Sequence, residues 1–440
     1  MEKIIIEGGT ALHGSIRASG AKNAALPILI ATLLAPGEHR LTNVPALTDT
    51  SYTLSLLGRL GCPSLIGRDS IRLDTTRIAF NEAPYDVVRK MRASVLVLGP
   101  LLARCGEAKV SLPGGCAIGT RPIDQHLRGL EALGCTFELA NGYIHGRADD
   151  LRGADFTFDV VTVTGTENVV MAAVLARGVS TLRNVAMEPE VVDLCHFLVS
   201  LGARIDGIGT DTLVIEGVPR LWAASRPYSI LPDRIETGTY LCAAAVTGGD
   251  ITVTHTDPSQ LNAVTDVLAA AGCEITSGPD WIRCRRTTPL RPVDITTAPY
   301  PLFPTDMQAQ LMTVVALAEG QSRIEETIFE NRFMHAPELC RMGASIAHTN
   351  RVATVTGAAE LTGAAVMASD LRASAALVLA GLAATGLTQV LRIYHLDRGY
   401  EDLVGKLRGV GARIGRVSDA ENDADVLKSS LAAPETVAYA

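Results

Sequence analysis

Two kinds of apolar segment alternate along the chain. The first is rich in Ala, Leu and Val with few polar breaks on any side: NAALPILIATLLA, RASVLVLGPLLAR, TENVVMAAVLAR, IETGTYLCAAAVT, DMQAQLMTVVALAE and LRASAALVLAGLAAT. Each leads to a glycine, at positions 37, 106, 178, 248, 320 and 386. A segment that is apolar around most of its circumference predicts a helix buried on all sides. The second kind is amphipathic and ends in Gly followed by a small or apolar residue, at LLGRLGC, LEALGC, LVSLGA, LAAAGC, LCRMGA and LRGVGA. Its glycines, 61, 134, 202, 272, 343 and 411, stand 68 to 73 residues apart. These predict outer helices, each closed by a left-handed glycine that turns the chain into a strand. Short runs of alternating polarity, such as TLRNV and ITVTH, follow most of the buried helices and read as β-strands.

The repeating unit is therefore two helices and a few strands, about 70 residues long and present six times. A chain of 440 residues exceeds what one core usually serves, so two closed lobes of three units each are expected. Several buried helices carry the pattern of a capping box: Thr164 with Glu167, Asp233 with Glu236, and Thr305 with Gln308.

Composition narrows the function classes. Hydrophobic residues make up 47% of the chain and charged residues 20%, which excludes disorder by composition. Lys and Arg total 39 against 47 Asp and Glu, a net charge of −8, so no nucleic-acid partner is expected. The opening MEKIIIEGG has only three consecutive strong apolar residues before Glu7, too few for a signal-peptide core. No long apolar run free of polar breaks occurs either, so a cytoplasmic protein with no membrane association is expected. Nine cysteines with no CxxC pattern read as reduced thiols rather than disulfides or structural zinc. Eight of them, at 62, 105, 135, 195, 242, 273, 284 and 340, read as small core residues in or beside helices and strands.

Cys116 is the exception. It stands in SLPGGCAIGTRP, where Pro113, Gly114, Gly115 and Gly119 predict a loop. A thiol with a pKa of about 8.5 is mostly protonated at neutral pH, so it can act as a general acid as well as a nucleophile. The starts of the buried helices hold the other candidates: Lys22, Arg92, Arg234, Asp306, and Asp370 with Arg372. Helix N-termini already favour anions, and cations gathered there predict a phosphate-rich ligand between the lobes. His335, in ENRFMHAPEL, reads as a structural histidine. No Walker loop, dinucleotide fingerprint, HExxH or EF-hand loop occurs, and no metal or cofactor is expected.

The runs SGAKNAALPIL, MRAS, LPGGCAIGTRPIDQHLRGLEALG, TVTGTENVVMAAVLA, PDRIETGTYL, FPTDMQAQ, ENRFMHAPEL, SDLRASAALVLAGL and IYHLDRGYE resemble the UDP-N-acetylglucosamine enolpyruvyl transferases. The resemblance runs from Met1 to about Val417. It implies an α/β fold of two inverse, barrel-like domains. Each has three βαβαββ repeats with the helices inside, and the active site lies in the interdomain cleft. The domains would be 22–231, carrying the Cys116 loop, and 1–21 with 232–440; the acidic tail beyond Val417 is expected to be loose. The implied reaction moves the enolpyruvyl group of phosphoenolpyruvate to the 3-hydroxyl of UDP-N-acetylglucosamine through a tetrahedral ketal, releasing phosphate. That is the first committed step of peptidoglycan synthesis, and hence of cell-wall growth, cell shape and division.

On matching positions, the resemblance assigns Lys22, Arg121 and Arg398 to the phosphate of phosphoenolpyruvate and Arg372 to its carboxylate, with Asn23 beside them. Cys116 is implied as the acid at C3, able to form a covalent phosphoenolpyruvate or pyruvate adduct and to be alkylated by fosfomycin. Asp306 is implied as the base at the sugar hydroxyl, and Asp370 as a supporting carboxylate. Arg92 falls to the diphosphate of the sugar nucleotide; Asn23, Arg121, Pro122, Ile123, Asp124, Gln125, Val160, Val161, Thr162, Val163 and Ile328 line the acceptor. Two departures stand out: Met187 where many relatives carry Arg, and Val160 where some carry Lys. Competing expectations are the same transfer to a different nucleotide, or a non-catalytic sugar-nucleotide-binding regulator. A monomer is expected.

Overall fold

The computed structural model describes residues 2–67, 70–89, 91–112, 123–358 and 360–418. Cys116, Arg121, Pro122 and the tail from 419 lie outside the described residues.

The described strands form six four-stranded sheets. Each has one parallel edge pair followed by two antiparallel pairs, as in Asp155–Thr157, Val179–Arg183, Thr212–Glu216 and Arg204–Asp206. In four of the six a helix from the all-apolar series directly bridges the parallel pair, here Val163–Ala173, and in all six an amphipathic helix bridges the next connection, here Pro189–Ser200. The burial of the two series differs as their sequences dictate. Every residue from Gly165 to Ala173 is buried, as is every one from Arg372 to Leu382 in the helix Leu371–Ala383. Helix Asn262–Ala270 buries only Val264 and Leu268. Strands such as Thr212–Glu216 alternate buried and exposed positions, so one face of the sheet packs on the inner helices and the other meets solvent.

All twelve glycines of the two series have positive φ, between 68° and 141°. The six that close the outer helices cluster tightly, from 92° to 103°. A side chain at these positions would meet the steric penalty of the left-handed region, which is why the repeat retains glycine there.

The sheets group into two compact units. One holds the described residues from Gly20 to Leu231; the other holds those up to Ser19 and from Pro232 onward. The first unit is therefore an insertion within the second. Strand His13–Arg17 pairs in parallel with Asp250–Thr254, on the far side of the insertion, and Lys3–Glu7 lies between Leu387–Leu391 and Arg413–Val417. Where the chain leaves the second unit, buried Glu236 accepts hydrogen bonds from Ser19 N (2.7 Å), Tyr240 Oη (2.9 Å) and Lys406 Nζ (2.7 Å).

Local capping departs from the sequence pattern in three places. Helix Val163–Ala173 is capped by Thr162, whose hydroxyl accepts from Gly165 N, and Thr164 is its second residue. Asp233 accepts from Ile235 N and Glu236 N as expected, but Glu236 turns to Ser19 and Lys406 instead of closing the box. Thr305 caps nothing: its hydroxyl donates to Glu326, and its turn starts after Pro304. The cysteines also need correction, since Cys105 and Cys340 are exposed. Among the described residues no helix is long and apolar enough to cross a membrane.

Candidate active site

In the first unit, Lys22 opens helix Lys22–Ala31 with Asn23 beside it, and its Nζ lies 3.6 Å from the buried carboxylate of Asp49. Arg92 opens the 3-10 turn Arg92–Val97. Ile123 leads into helix Asp124–Ala132, and Gln125 fastens that helix to the end of a neighbouring strand. Its Nε2 donates to Asp124 and Asp159 (3.1 and 3.2 Å), while its Oε1 accepts from Asp159 N (3.0 Å). The chain then passes directly into Val160–Val163. Val160 and Val161 are 60% and 37% exposed, an unusual position for two adjacent aliphatic side chains. The structure thus brings Ile123, Asp124, Gln125 and Val160–Val163 to one place.

Behind this segment lies a hydrogen-bond chain with only one possible polarity. Asn168 Oδ1 accepts from Gly99 N (2.7 Å) and its Nδ2 donates to Val95 O (3.1 Å), which fixes the orientation of the amide. Nδ2 must then also donate to His126 Nδ1 (3.0 Å), leaving the ring proton on Nε2. Burial, reinforced by Arg92, lowers the His126 pKa to about 4, so the ring is neutral at physiological pH. Its Nε2–H donates to Thr164 Oγ1 (3.2 Å), and the Thr164 hydroxyl is left to donate its own proton. Sequence reading missed this, having assigned Thr164 to a cap.

In the second unit, Asp306 is clamped by two buried guanidiniums. Its Oδ1 accepts from Arg332 Nη2 and its Oδ2 from Arg372 Nη2, both at 2.9 Å. The Arg332 and Arg372 side chains are only 4% and 3% exposed. Burial works against the Arg372 charge, but Asp306, Tyr400 and Asp233 outweigh it and hold the group protonated. Arg372 Nε and Nη1 have no hydrogen-bond partner among the described residues. Two buried donors left unused normally cost stability, and they are the donors that a bidentate carboxylate would take. Tyr400 backs the guanidinium at 5.5 Å from its ring centre, with its hydroxyl bonded to Thr239 (2.9 Å) and Gln310 (3.2 Å).

Asp370 caps the helix that carries Arg372, accepting from Arg372 N and Ala373 N at 2.9 and 3.1 Å. Arg398 closes the turn Ile393–Arg398. Burial lowers the pKa of His395; Asp370 raises it and Arg398 lowers it, so both charges face that ring. Ile328 is half-buried, at the start of the segment that supplies Arg332. His335 is buried, and burial lowers its pKa to about 4. Arg234 also opens a buried helix, but it lies 5.5 Å from the Tyr300 ring and reads as packing. Among the described residues no group of three or more His, Cys, Asp or Glu is placed to hold a metal ion.

The arrangement offers cations for anionic groups in both units and a carboxylate poised between guanidiniums. The sequence matches the EPSP synthase (3-phosphoshikimate 1-carboxyvinyltransferase) family over residues 6–407. It is 57% identical over 422 residues to a UDP-N-acetylglucosamine 1-carboxyvinyltransferase of Anaeromyxobacter dehalogenans, covering 95% of this chain and all of that one. A protein of the same name from Dichelobacter nodosus is 55% identical over 421 residues, covering 96% of this chain and all of the relative. Among solved structures, the enolpyruvyl transferase NikO from Streptomyces tendae superposes with a TM-score of 0.85 at 28% identity, covering 94% of this chain and 99% of that one. An EPSP synthase from Acinetobacter baumannii has the same fold, with a TM-score of 0.74 at 16% identity over 95% of this chain and all of that one.

Proposed function

Since the chain belongs to the EPSP synthase family of carboxyvinyltransferases, we propose that it transfers the enolpyruvyl group of phosphoenolpyruvate to UDP-N-acetylglucosamine. The observation that carries the choice of acceptor is the 57% identity over the full length of a transferase named for it, against 28% to NikO. The product is the 3-O-enolpyruvyl sugar nucleotide, the first committed intermediate of peptidoglycan. The reading carries with it a monomeric, cytoplasmic enzyme.

The reaction is an addition followed by an elimination. The sugar 3-hydroxyl oxygen bonds to C2 of phosphoenolpyruvate as a proton is added to C3, giving a tetrahedral ketal. The C2–O bond to phosphate then breaks, and C3 loses a proton to restore the double bond. Lys22, Arg121 and Arg398 stabilise the departing phosphate, since charge grows there in the second step. Arg372 takes the substrate carboxylate on Nε and Nη1 while Nη2 remains on Asp306. Cys116 supplies the proton at C3 and can hold phosphoenolpyruvate as a covalent adduct. Asp306 removes the proton from the 3-hydroxyl, with Asp370 supporting the later deprotonation.

On the acceptor, Arg92 meets the diphosphate, while Asn23, Arg121, Pro122, Ile123, Asp124, Gln125, Val160–Val163 and Ile328 line the sugar nucleotide. The Thr164 hydroxyl, left with its own proton to donate, is proposed as a donor to the same ligand. Thr164→Val keeps the shape and removes the donor, so the KM for the sugar nucleotide is expected to rise by about 3–10-fold with kcat nearly unchanged. An unaltered KM would remove Thr164 from the site.

The acceptor assignment is tested by phosphate release from phosphoenolpyruvate with UDP-N-acetylglucosamine, other UDP-sugars and free uridine nucleotides. Release that depends on UDP-N-acetylglucosamine is expected. Turnover only with another nucleotide would move the enzyme to a different pathway, and no release with any acceptor would favour a binding protein.

A further inference from the structure

The six repeats share a turn that two of them abandon. After the strand that follows the inner helix, four units place a residue with left-handed backbone: Asn43 (φ 54°), Asn184 (55°), His255 (56°) and Arg392 (60°). In three of these the side chain ties the paired strand, through Asn43 Nδ2 to Ile230 O, Asn184 Nδ2 to Phe158 O and His255 Nδ1 to Ala18 O. In the second repeat the corresponding position is Leu112, and the sequence continues to Cys116. In the fifth it is Glu326, which follows strand Gln321–Glu325.

Glu326 is fully buried, and none of its four donors is a cation. Its Oε1 accepts from Thr297 Oγ1 (2.9 Å), Ile328 N (2.8 Å) and Phe329 N (3.1 Å), and its Oε2 from Thr305 Oγ1 (2.8 Å). The carbonyl of Thr297, which corresponds to those of Ile230, Phe158 and Ala18, is bonded by Thr327 Oγ1 instead. A buried carboxylate is costly to place, and four charge-assisted hydrogen bonds offset that cost only if each donor keeps its geometry. Glu326 therefore locks two segments to each other. One is the turn Thr305–Met307, which carries Asp306; the other begins at Ile328 and supplies Arg332, the second guanidinium on Asp306.

We propose that Glu326 is a positioning residue for the acceptor half of the reaction, setting the Asp306 carboxylate against the segment that begins at Ile328. The proposal rests on the reading of Asp306 and Ile328 as acceptor-facing. It explains why the repeat is broken at this point: a simple turn would leave no means of registering the two segments.

The test is steady-state kinetics on Glu326→Ala, Glu326→Gln, Thr305→Val and Asp306→Asn, with Tm measured for each. Glu326→Ala is expected to raise the KM for UDP-N-acetylglucosamine by about 10-fold and lower kcat by about 10–100-fold, with the KM for phosphoenolpyruvate within about twofold. Glu326→Gln should recover most of the activity, because its oxygen can serve the Oε1 donors while its amide donates to Thr305. Thr305→Val removes one of the four donors and should shift acceptor KM and kcat in the same direction by less. It carries the test if Glu326→Ala does not fold. Equal losses for both substrates, a lowered Tm with unchanged kinetics, or an unchanged Thr305→Val would overturn the proposal. An inactive Asp306→Asn beside an unaffected Glu326→Ala would overturn it while leaving Asp306 as base; a fully active Asp306→Asn would remove the reading beneath it.

Discussion

Asp306→Asn is expected to lower kcat by about 10²–10⁴-fold, the usual worth of a positioned general base. The amide keeps the shape of the carboxylate and an oxygen for one guanidinium, but cannot take up the proton of the sugar hydroxyl. Alanine is the poorer choice. It would leave Arg332 and Arg372 buried without their shared counter-ion, and breaking a buried pair in that way costs about 3–5 kcal/mol of folding stability. Rates must be read on protein shown by its Tm to be folded. An Asp306→Asn enzyme within about threefold of wild-type kcat would refute the base assignment.

Cys116→Ser is expected to abolish most turnover while leaving the affinity for UDP-N-acetylglucosamine unchanged, because a hydroxyl is a far weaker acid than a thiol. Full activity in the serine variant would refute the acid role. The same thiol should open the epoxide of fosfomycin, adding one intact molecule to the protein. Peptide mapping is essential to that experiment, since Cys105 and Cys340 are exposed and can compete. Label confined to those two, with Cys116 unmodified, would contradict the assignment.

The architecture was legible because it rests on periodic constraints. Buried helices must be apolar all round, outer helices on one face, and each helix end needs a residue that tolerates positive φ; all three leave marks in sequence. The placement of Lys22, Arg92, Asp306 and Arg372 at helix starts was legible, and each stands first or second in its helix or turn. Capping was read less well, because Thr, Asp and Glu at those positions have long-range competitors: Thr305 is drawn to Glu326 and Glu236 to Lys406. Arg332 and Glu326 were missed for a related reason. They lie in an aperiodic segment, EETIFENRFMHAPEL, whose only signal is the missing turn residue after the strand. Likewise, Cys105 and Cys340 were read as core from residue type, which cannot tell which side of an outer position faces solvent.

The most direct measurement is to run both substrates in heavy water and analyse the sugar-nucleotide product. Addition–elimination predicts phosphate in one-to-one yield with the 3-O-enolpyruvyl ether, and solvent deuterium in its methylene group. Phosphate without the ether, or an ether formed with no deuterium, would contradict transfer through a protonated ketal.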